Sequence, residues 1–89
     1  MKNIKYSTQA KKDLKRFLLF PDKLKKLYSI LKLLQEERPL PEEVKKHVLQ
    51  GNLSGFLECH IENDFLLIWK DVDDIYIVRI GSHSELFNK

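Results

Sequence analysis

Three histidines and one arginine are the side chains of this 89-residue chain best suited to moving protons and stabilising negative charge. His47 lies in a central segment with prolines and glycines, His60 in an apolar segment, and His83 near the C-terminus. Histidine transfers protons near neutral pH because its ordinary pKa lies there. Cleavage of RNA by its own 2′-hydroxyl needs a base for that hydroxyl, an acid for the leaving 5′-oxygen, and cations near the phosphate. The three histidines and Arg79 could supply that set, although such a histidine count is ordinary for this length.

Aromatic residues offer a second functional interpretation. Single-stranded RNA is commonly bound by stacking of its splayed bases on aromatic rings. The rings available for this are Phe56, Phe65, Trp69 and Phe87, and core packing is the alternative use for each. Arg79 is the one charge within the apolar run 75–80 and needs a partner there. A phosphate would serve, and so would Glu58 or Asp64.

Cys59 is the single cysteine, which excludes an internal disulfide and fits a reducing compartment. Cys59 and His60 are neighbours in a predicted strand and therefore point to opposite faces. That placement disfavours both a Cys–His nucleophile pair and a zinc site, so Cys59 is interpreted as a small buried hydrophobe. We predict no metal ion and no cofactor.

Hydrophobic periodicity gives the elements that must position these residues. A strand is predicted over 2–6, a helix from Ser7 or Thr8 to near Phe20, and a second helix from Pro21 to before Pro39. Residues 38–54 are predicted to be mostly loop, followed by strands over 56–61, 65–70 and 75–80 and a short tail. This β-α-α-β-β-β order predicts a single α+β domain over 1–89, with a helical hairpin packed on one face of an antiparallel sheet.

The first hairpin allows a prediction about faces. If Glu62 and Asn63 form the turn, paired positions sum to 125 and opposed residues share a face. The face predicted to lie under the helices then holds Leu57, Cys59, Ile61, Leu66 and Ile68. The opposite face, predicted to bind, holds Phe56, Glu58, His60, Phe65, Leu67 and Trp69. A slip of one residue between the strands would exchange these roles.

Charge is divided unevenly along the chain, which has a net charge of +3. Residues 1–46 hold 13 basic and 6 acidic side chains, and residues 47–89 hold 3 and 7. A lysine-rich helical half predicts either a polyanion-binding surface or simply a well-solvated one. No apolar run approaches the length of a membrane span or a signal peptide, so we expect a cytoplasmic domain without membrane contact.

Two segments together resemble a known family. Residues 47–69 read HVLQGNLSGFLECHIENDFLLIW and residues 79–87 read RIGSHSELF. These segments are similar to the YafQ branch of the RelE/ParE toxin superfamily, with many fixed residue types at fixed spacing. Val48 stands where the family commonly has proline and Phe65 where it often has tryptophan, so a codon preference does not transfer with the motif.

The resemblance implies a RelE-like fold and a specific reaction. Members are toxins of type II toxin–antitoxin systems that enter the ribosomal A site and cut mRNA there. The reaction is metal-free attack of the 2′-oxygen on the phosphate, so the resemblance adds no cofactor. By motif position the catalytic set is His47, His60, Asp64 and His83, with His47 or His60 as base, His83 as acid, and Asp64 orienting a histidine or contacting a base. Substrate contacts fall to Arg79, at the phosphate, and to the rings of Phe65 and Phe87.

The resemblance also implies partners. The Lys-rich helices would dock on ribosomal RNA, and a cognate antitoxin, typically with a ribbon-helix-helix DNA-binding dimer, would neutralise the toxin. Two rival functions stay open at this point. One is a ParE-like gyrase poison, which lacks the histidine set, and the other is a non-catalytic ribosome- or RNA-binding module.

Overall fold

The structure, a computed structural model, describes residues 1–51 and 55–87. Residues 52–54 of the predicted loop, and the last two residues of the predicted domain, lie outside the described residues. The strands are β1 (Ile4–Tyr6), β2 (His47–Val48), β3 (Leu57–Glu62), β4 (Phe65–Asp71) and β5 (Ile75–Gly81). The helices are α1 (Thr8–Arg16), α2 (Pro21–Gln35) and α3 (His83–Leu86), with a 3-10 turn at Glu42–Val44.

The two long helices begin where the sequence predicts. The Ser7 hydroxyl caps α1 by accepting a hydrogen bond from the Ala10 N–H at 2.9 Å. Pro21 opens α2, since its fixed φ suits the first helical position. The buried stripe of α2 lies at Leu27, Ile30, Leu31 and Leu34. None of the helices in the described residues is both long enough and apolar enough to span a bilayer.

The sheet has five strands in the order β1-β5-β4-β3-β2. The predicted antiparallel arrangement is confirmed for β2 to β5, but β1 pairs with β5 in parallel, so the sheet is mixed. The helical hairpin carries the chain away from β1, and the later strands return beside it. Such a pairing between distant segments leaves no local periodicity that could reveal its direction. The prediction also missed β2 and α3, whose two and four residues are too few to show a period.

The first hairpin is shifted by one residue from the predicted register. Its turn residues are Asn63 and Asp64, and Leu57 pairs with Trp69 while His60 pairs with Leu66. A bulge between His60 and Glu62 absorbs Ile61. Successive residues of a strand point to opposite faces of the sheet, so a shift of one residue moves every side chain of β4 to the face opposite the predicted one. The side chains of β3 stay on their predicted faces.

The exchange decides which side chains form the core under the helices. Leu57, Cys59 and Ile61 lie there as predicted. Phe65, Leu67 and Trp69, predicted to face outward, are buried in that core instead. Leu66 and Ile68, predicted to lie under the helices, are opposite His60 and Glu58 on the other face.

Candidate active site

The three histidines come together on one side of the molecule, although three different elements carry them. His47 lies on β2, His60 on β3 and His83 at the start of α3. The ring of His60 lies in the middle, with its centroid 6.0 Å from that of His47 and 5.6 Å from that of His83. All three rings reach solvent, with side-chain exposures of 46%, 28% and 54% for His47, His60 and His83. Separations of this size are those of neighbouring rings, so the three imidazoles form one continuous row, here called the histidine row.

Glu58 is the carboxylate that holds His47 and lies beside His60. Pairing of β2 with β3 places His47 directly opposite Glu58, whose side chain is only 7% exposed. Its Oε1 lies 2.9 Å from Nε2 of His47 and 3.7 Å from Nε2 of His60. The other ring nitrogen of His47 lies 2.8 Å from the carbonyl oxygen of Lys45. Both nitrogens of His47 therefore lie beside oxygen atoms, and these two contacts fix the orientation of the ring.

Asp64 holds the third histidine from the β3–β4 turn. Its Oδ1 accepts hydrogen bonds from the backbone N–H of His83 at 2.8 Å and from Nδ1 of His83 at 2.8 Å. The backbone bond and then the ring bond hold the pKa of Asp64 below its usual range. With Nδ1 directed at Asp64, the ring presents Nε2 to the space near His60.

Arg79 is held by a carboxylate of α1 that the sequence analysis did not consider. Asp13, which is fully buried, accepts from Nε of Arg79 at 2.9 Å and from its Nη2 at 3.3 Å. Asp13 also accepts from the backbone N–H of Ile80 at 2.9 Å, at the stretch of β5 that extends beyond its pairing with β1. Burial alone would raise the pKa of Asp13, but the bonds from Arg79 and Ile80 together with the charges of Arg79 and Arg16 lower it.

The short helix α3 is fixed by polar contacts. Ser82 caps it and forms a reciprocal capping box with Glu85. Glu85 also pairs with Nε of Arg16 at 3.2 Å, which ties α3 to α1. A Cβ at Gly81 would lie 2.7 Å from Oε1 of Glu85, so the glycine makes room for this contact. Phe87 ends the helix with its N–H bonded to the carbonyl oxygen of His83 at 2.8 Å, and its side chain is half-buried beside the site.

Phe65 does not belong to this surface, which corrects its predicted substrate contact. Its side chain is 1% exposed, and its ring lies 4.8 Å from that of Phe17 in the core. The predicted register placed Phe65 on the face of His60, and the shift of one residue removed it. The structure therefore brings together His47, His60, Asp64 and His83, with Arg79 and Phe87 at the α3 side, and leaves Phe65 out.

The site shows no arrangement that would hold a metal ion. Over residues 1–51 and 55–87, no group of three or more His, Cys, Asp or Glu side chains has the placement that a metal requires. Glu58 is instead engaged by His47. Cys59 points into the core, and burial raises the pKa of its thiol to about 12, which agrees with its interpretation as a buried hydrophobe.

Glu58, Asp13 and Glu85 are the site residues that sequence reasoning missed. Glu58 was predicted to share the face of His60, which it precedes by two residues, and was named as one possible partner for Arg79. It was not given a role with the histidines. Asp13 carried a weaker signal as an acidic residue among the apolar positions of α1. Nothing local could have connected Glu85 with Arg16.

Comparison with known proteins agrees with this geometry. A protein-family model described as a bacterial toxin of type II toxin–antitoxin system, YafQ, matches residues 2–88. The mRNA interferase toxin YafQ of Escherichia coli strain K12 is 36% identical over 88 residues, covering 97% of this chain and 96% of the relative.

Two solved structures have the same fold. The toxin in the E. coli DinJ–YafQ toxin–antitoxin complex is 36% identical with a TM-score of 0.85, covering 97% of each chain. A metal-bound toxin from Helicobacter pylori is 40% identical with a TM-score of 0.89, covering 98% of this chain and all of the other. The mixed α+β fold is therefore shared with these toxins over nearly the full chain.

Proposed function

The chain belongs to the YafQ family of bacterial type II toxin–antitoxin toxins, and on that basis we propose that it is an mRNA interferase, an endoribonuclease that cuts mRNA in the ribosomal A site. The observation that carries the proposal is the row of three histidine rings, two of which are held by Glu58 and Asp64. A base, an acid and a fixed positive charge within one cleft are what 2′-hydroxyl attack on a phosphate requires. These side chains supply them without needing a metal ion.

His60 takes the 2′-hydroxyl proton in this mechanism. Its Nε2 lies 3.7 Å from Oε1 of Glu58, beyond hydrogen-bond reach, so it is the ring available as a base in the centre of the row. His47, held between Glu58 and the carbonyl oxygen of Lys45, lies beside His60 at the site of the phosphate. The 2′-oxygen then bonds to phosphorus, which gives a 2′,3′-cyclic phosphate as the bond to the 5′-oxygen breaks.

His83 protonates the leaving 5′-oxygen. Asp64 accepts from Nδ1 and thereby directs Nε2 at the reacting group. Arg79 is anchored through Nε and Nη2, so it offers its remaining nitrogen to the phosphate without reorganising. Phe87, one turn from His83, stacks on a base of the bound mRNA.

Ribosomal RNA is the docking partner in this proposal, through the lysines on the outer surfaces of the helices. Lys23 and Lys26 are partly used within the protein, since both bind Glu62 at 2.6 Å. On α1 and α2, the exposed lysines that make no ion pair with the rest of the described chain are Lys11, Lys12, Lys15, Lys25 and Lys32. These five lysines are the outer cations of the helices to which we assign ribosomal contact.

An antitoxin is the second partner. The E. coli relative forms a complex with the antitoxin DinJ. We therefore expect a cognate antitoxin that binds this chain, typically through a tail attached to a ribbon-helix-helix dimer that carries the DNA contact. Toxin, ribosome and antitoxin would then meet in the cytoplasm.

The deciding experiment maps the 5′ ends of mRNA cut on programmed ribosomes by purified, antitoxin-free protein. Phenanthroline is included because it removes transition metals and leaves the Mg²⁺ that ribosomes need. We expect cuts within the A-site codon that disappear in His83→Ala and persist in Ser84→Ala, an exposed neighbour on the same helix. Intact mRNA with folded wild-type protein would overturn the proposal and direct the work to gyrase and to ribosome binding.

A further inference from the structure

A second concave region lies on the sheet face opposite the helices, away from the histidine row. It is a groove of about 850 Å³ between the ends of β1, β4 and β5 and the residue that precedes β3. The side chains that matter in it are two aromatic rings, two lysines and two acids: Phe56, Tyr76, Lys5, Lys70, Asp73 and Asp74. None of these has a place in the mechanism above.

The strand register places this groove on the same sheet face as Glu58 and His60. Lys70 pairs with Tyr76 on neighbouring strands, and Lys5 pairs with Tyr76 on the other side. Lys70 lies two residues beyond Ile68, which pairs with Glu58, so the same face carries both. Residues two apart on a strand are about 7 Å from each other. The cross-strand row that holds Tyr76 and Lys70 therefore lies about 7 Å from the row that holds Glu58 and about 13 Å from the row that holds His60.

Each ring in the groove has a lysine beside it. Nζ of Lys5 lies 5.8 Å from the ring centroid of Tyr76, and Nζ of Lys70 lies 6.0 Å from that of Phe56. Tyr76 is 41% exposed, which is unusual for so large a ring on a sheet. Lys70 makes no ion pair with any carboxylate in the part of the chain that the structure describes. An exposed ring beside an available cation is the combination that binds a base and its phosphate.

The acids restrict how a nucleic acid can lie here. Asp74 is neutralised by Lys5 at 3.1 Å, but Asp73 sits on the β4–β5 turn at the far end of the groove. Phosphates would be repelled from that end and attracted toward Lys70. A strand bound in the groove therefore leads back toward the histidines and stops at the turn.

We propose that this groove binds single-stranded RNA, with Tyr76 as the stacking platform for a base that flanks the scissile phosphate. The inference rests on the proposed function and extends it, because it names a substrate contact outside the reacting nucleotides. Stacking on a ring accepts any base, so the groove contributes affinity and register along the mRNA and no base specificity.

The test compares Tyr76→Ala with Tyr76→Phe and with Tyr28→Ala in cleavage of mRNA on programmed ribosomes at limiting toxin concentration. Tyr28 is the matched control, because it is 50% exposed and lies on α2 on the helical side. Loss of one stacked base weakens binding by about 5- to 150-fold. We expect a drop in cleavage of that size for Tyr76→Ala only, since an exposed substitution changes stability little.

Abasic nucleotides then locate the stacked base. An abasic site at the stacking position should slow the wild type to the rate of Tyr76→Ala and leave Tyr76→Ala unchanged. Abasic sites elsewhere should slow both proteins equally. Equal cleavage rates for Tyr76→Ala and wild type, or an equal loss of cleavage in Tyr28→Ala, would contradict the proposal that Tyr76 stacks on a base.

A binding measurement separates this inference from the proposed function. Fluorescence anisotropy with a 2′-O-methyl RNA oligonucleotide, which cannot be cut, reports on the groove even if the wild type proves inactive on ribosomes. Weaker binding by Tyr76→Ala supports the platform in either case. Unchanged RNA binding with weakened antitoxin binding would overturn it and assign the groove to a protein partner.

Discussion

Replacing Glu58 by glutamine tests whether a buried carboxylate organises the histidine row. The substitution keeps the shape and one oxygen acceptor and removes the negative charge. Glu58 is the shared neighbour of His47 at 2.9 Å and His60 at 3.7 Å, so its loss affects both rings at once. Because Glu58 touches no reacting atom in the mechanism, it acts as a positioning residue.

The magnitude follows from the polar contact between Oε1 of Glu58 and Nε2 of His47, which are 2.9 Å apart. A hydrogen bond to a charged partner contributes about 1.5–3 kcal/mol, and one between neutral groups about 0.5–1.5 kcal/mol. Glu58→Gln therefore weakens the arrangement by about 1–1.5 kcal/mol, which corresponds to about a 5- to 15-fold slower cleavage. Glu58→Ala removes the whole bond and should slow cleavage by about 10- to 150-fold.

Single-turnover cleavage at saturating toxin is the appropriate assay, because it reports the chemical step apart from ribosome binding. Glu62→Gln is the matched control, since Glu62 lies on the same strand and pairs with lysines of α2 instead of histidines. Urea unfolding checks that all variants are folded. A wild-type rate for Glu58→Gln, or an equal loss in Glu62→Gln, would refute the positioning role.

Three further outcomes follow from the same contacts. The pKa of Asp13 in the folded chain lies below its ordinary 3.8, so its contribution to the free energy of unfolding is complete well above pH 3.8 and is lost as the pH falls through the folded-state pKa. Urea unfolding between pH 7 and pH 3 should therefore show a steeper loss of stability in wild type than in Asp13→Asn. Phe65→Ala should lower the free energy of unfolding by about 3–5 kcal/mol. Phe65→Leu should stay folded and cleave mRNA at the wild-type rate, and a large loss of cleavage in this variant would show that Phe65 contacts the substrate. Ribosome binding should weaken steeply with salt, and Lys12→Gln should reduce the slope of log K against log salt by about one, with a smaller change for Lys26→Gln, whose ammonium group is held by Glu62.

Local periodicity was sufficient to predict the two long helices and the long strands, although α1 ends at Arg16 and not near Phe20. Apolar residues at helical spacing define α2, and the alternation in β3 placed Leu57 and Cys59 in the core correctly. The turn was the weak point, because Glu62, Asn63 and Asp64 are three polar residues from which two form the turn. Glu62 belongs to the strand because Lys23 and Lys26 of α2 hold its carboxylate, a contact between distant segments that no local rule contains.

The place of Glu62 in the strand and not in the turn changes which residues line the candidate active site. Because β4 is shifted by one position, Phe65 lies in the core and not on the predicted substrate face. The strand partners of Glu58 and His60 are Ile68 and Leu66. The histidines themselves were identified through their chemistry and through the family resemblance. Their geometry depends on β2, a strand of two residues that brings His47 opposite Glu58 and that the sequence did not predict.

The opposite charges of the two halves of the chain also have a structural explanation. Among the described residues, all but one of the ion pairs that join the halves match a cation of the first with a carboxylate of the second: Lys2 with Asp71, Lys5 with Asp74, Lys23 and Lys26 with Glu62, and Arg16 with Glu85. Part of the basic excess therefore fastens the helices and β1 to the sheet and is not available to RNA. Arg79 and Asp13 form the one pair of reversed direction, and it is the pair at the site. A buried carboxylate on α1 thus supports an arginine at the candidate active site, so ion pairs between the two halves of the chain stabilise both the fold and this site.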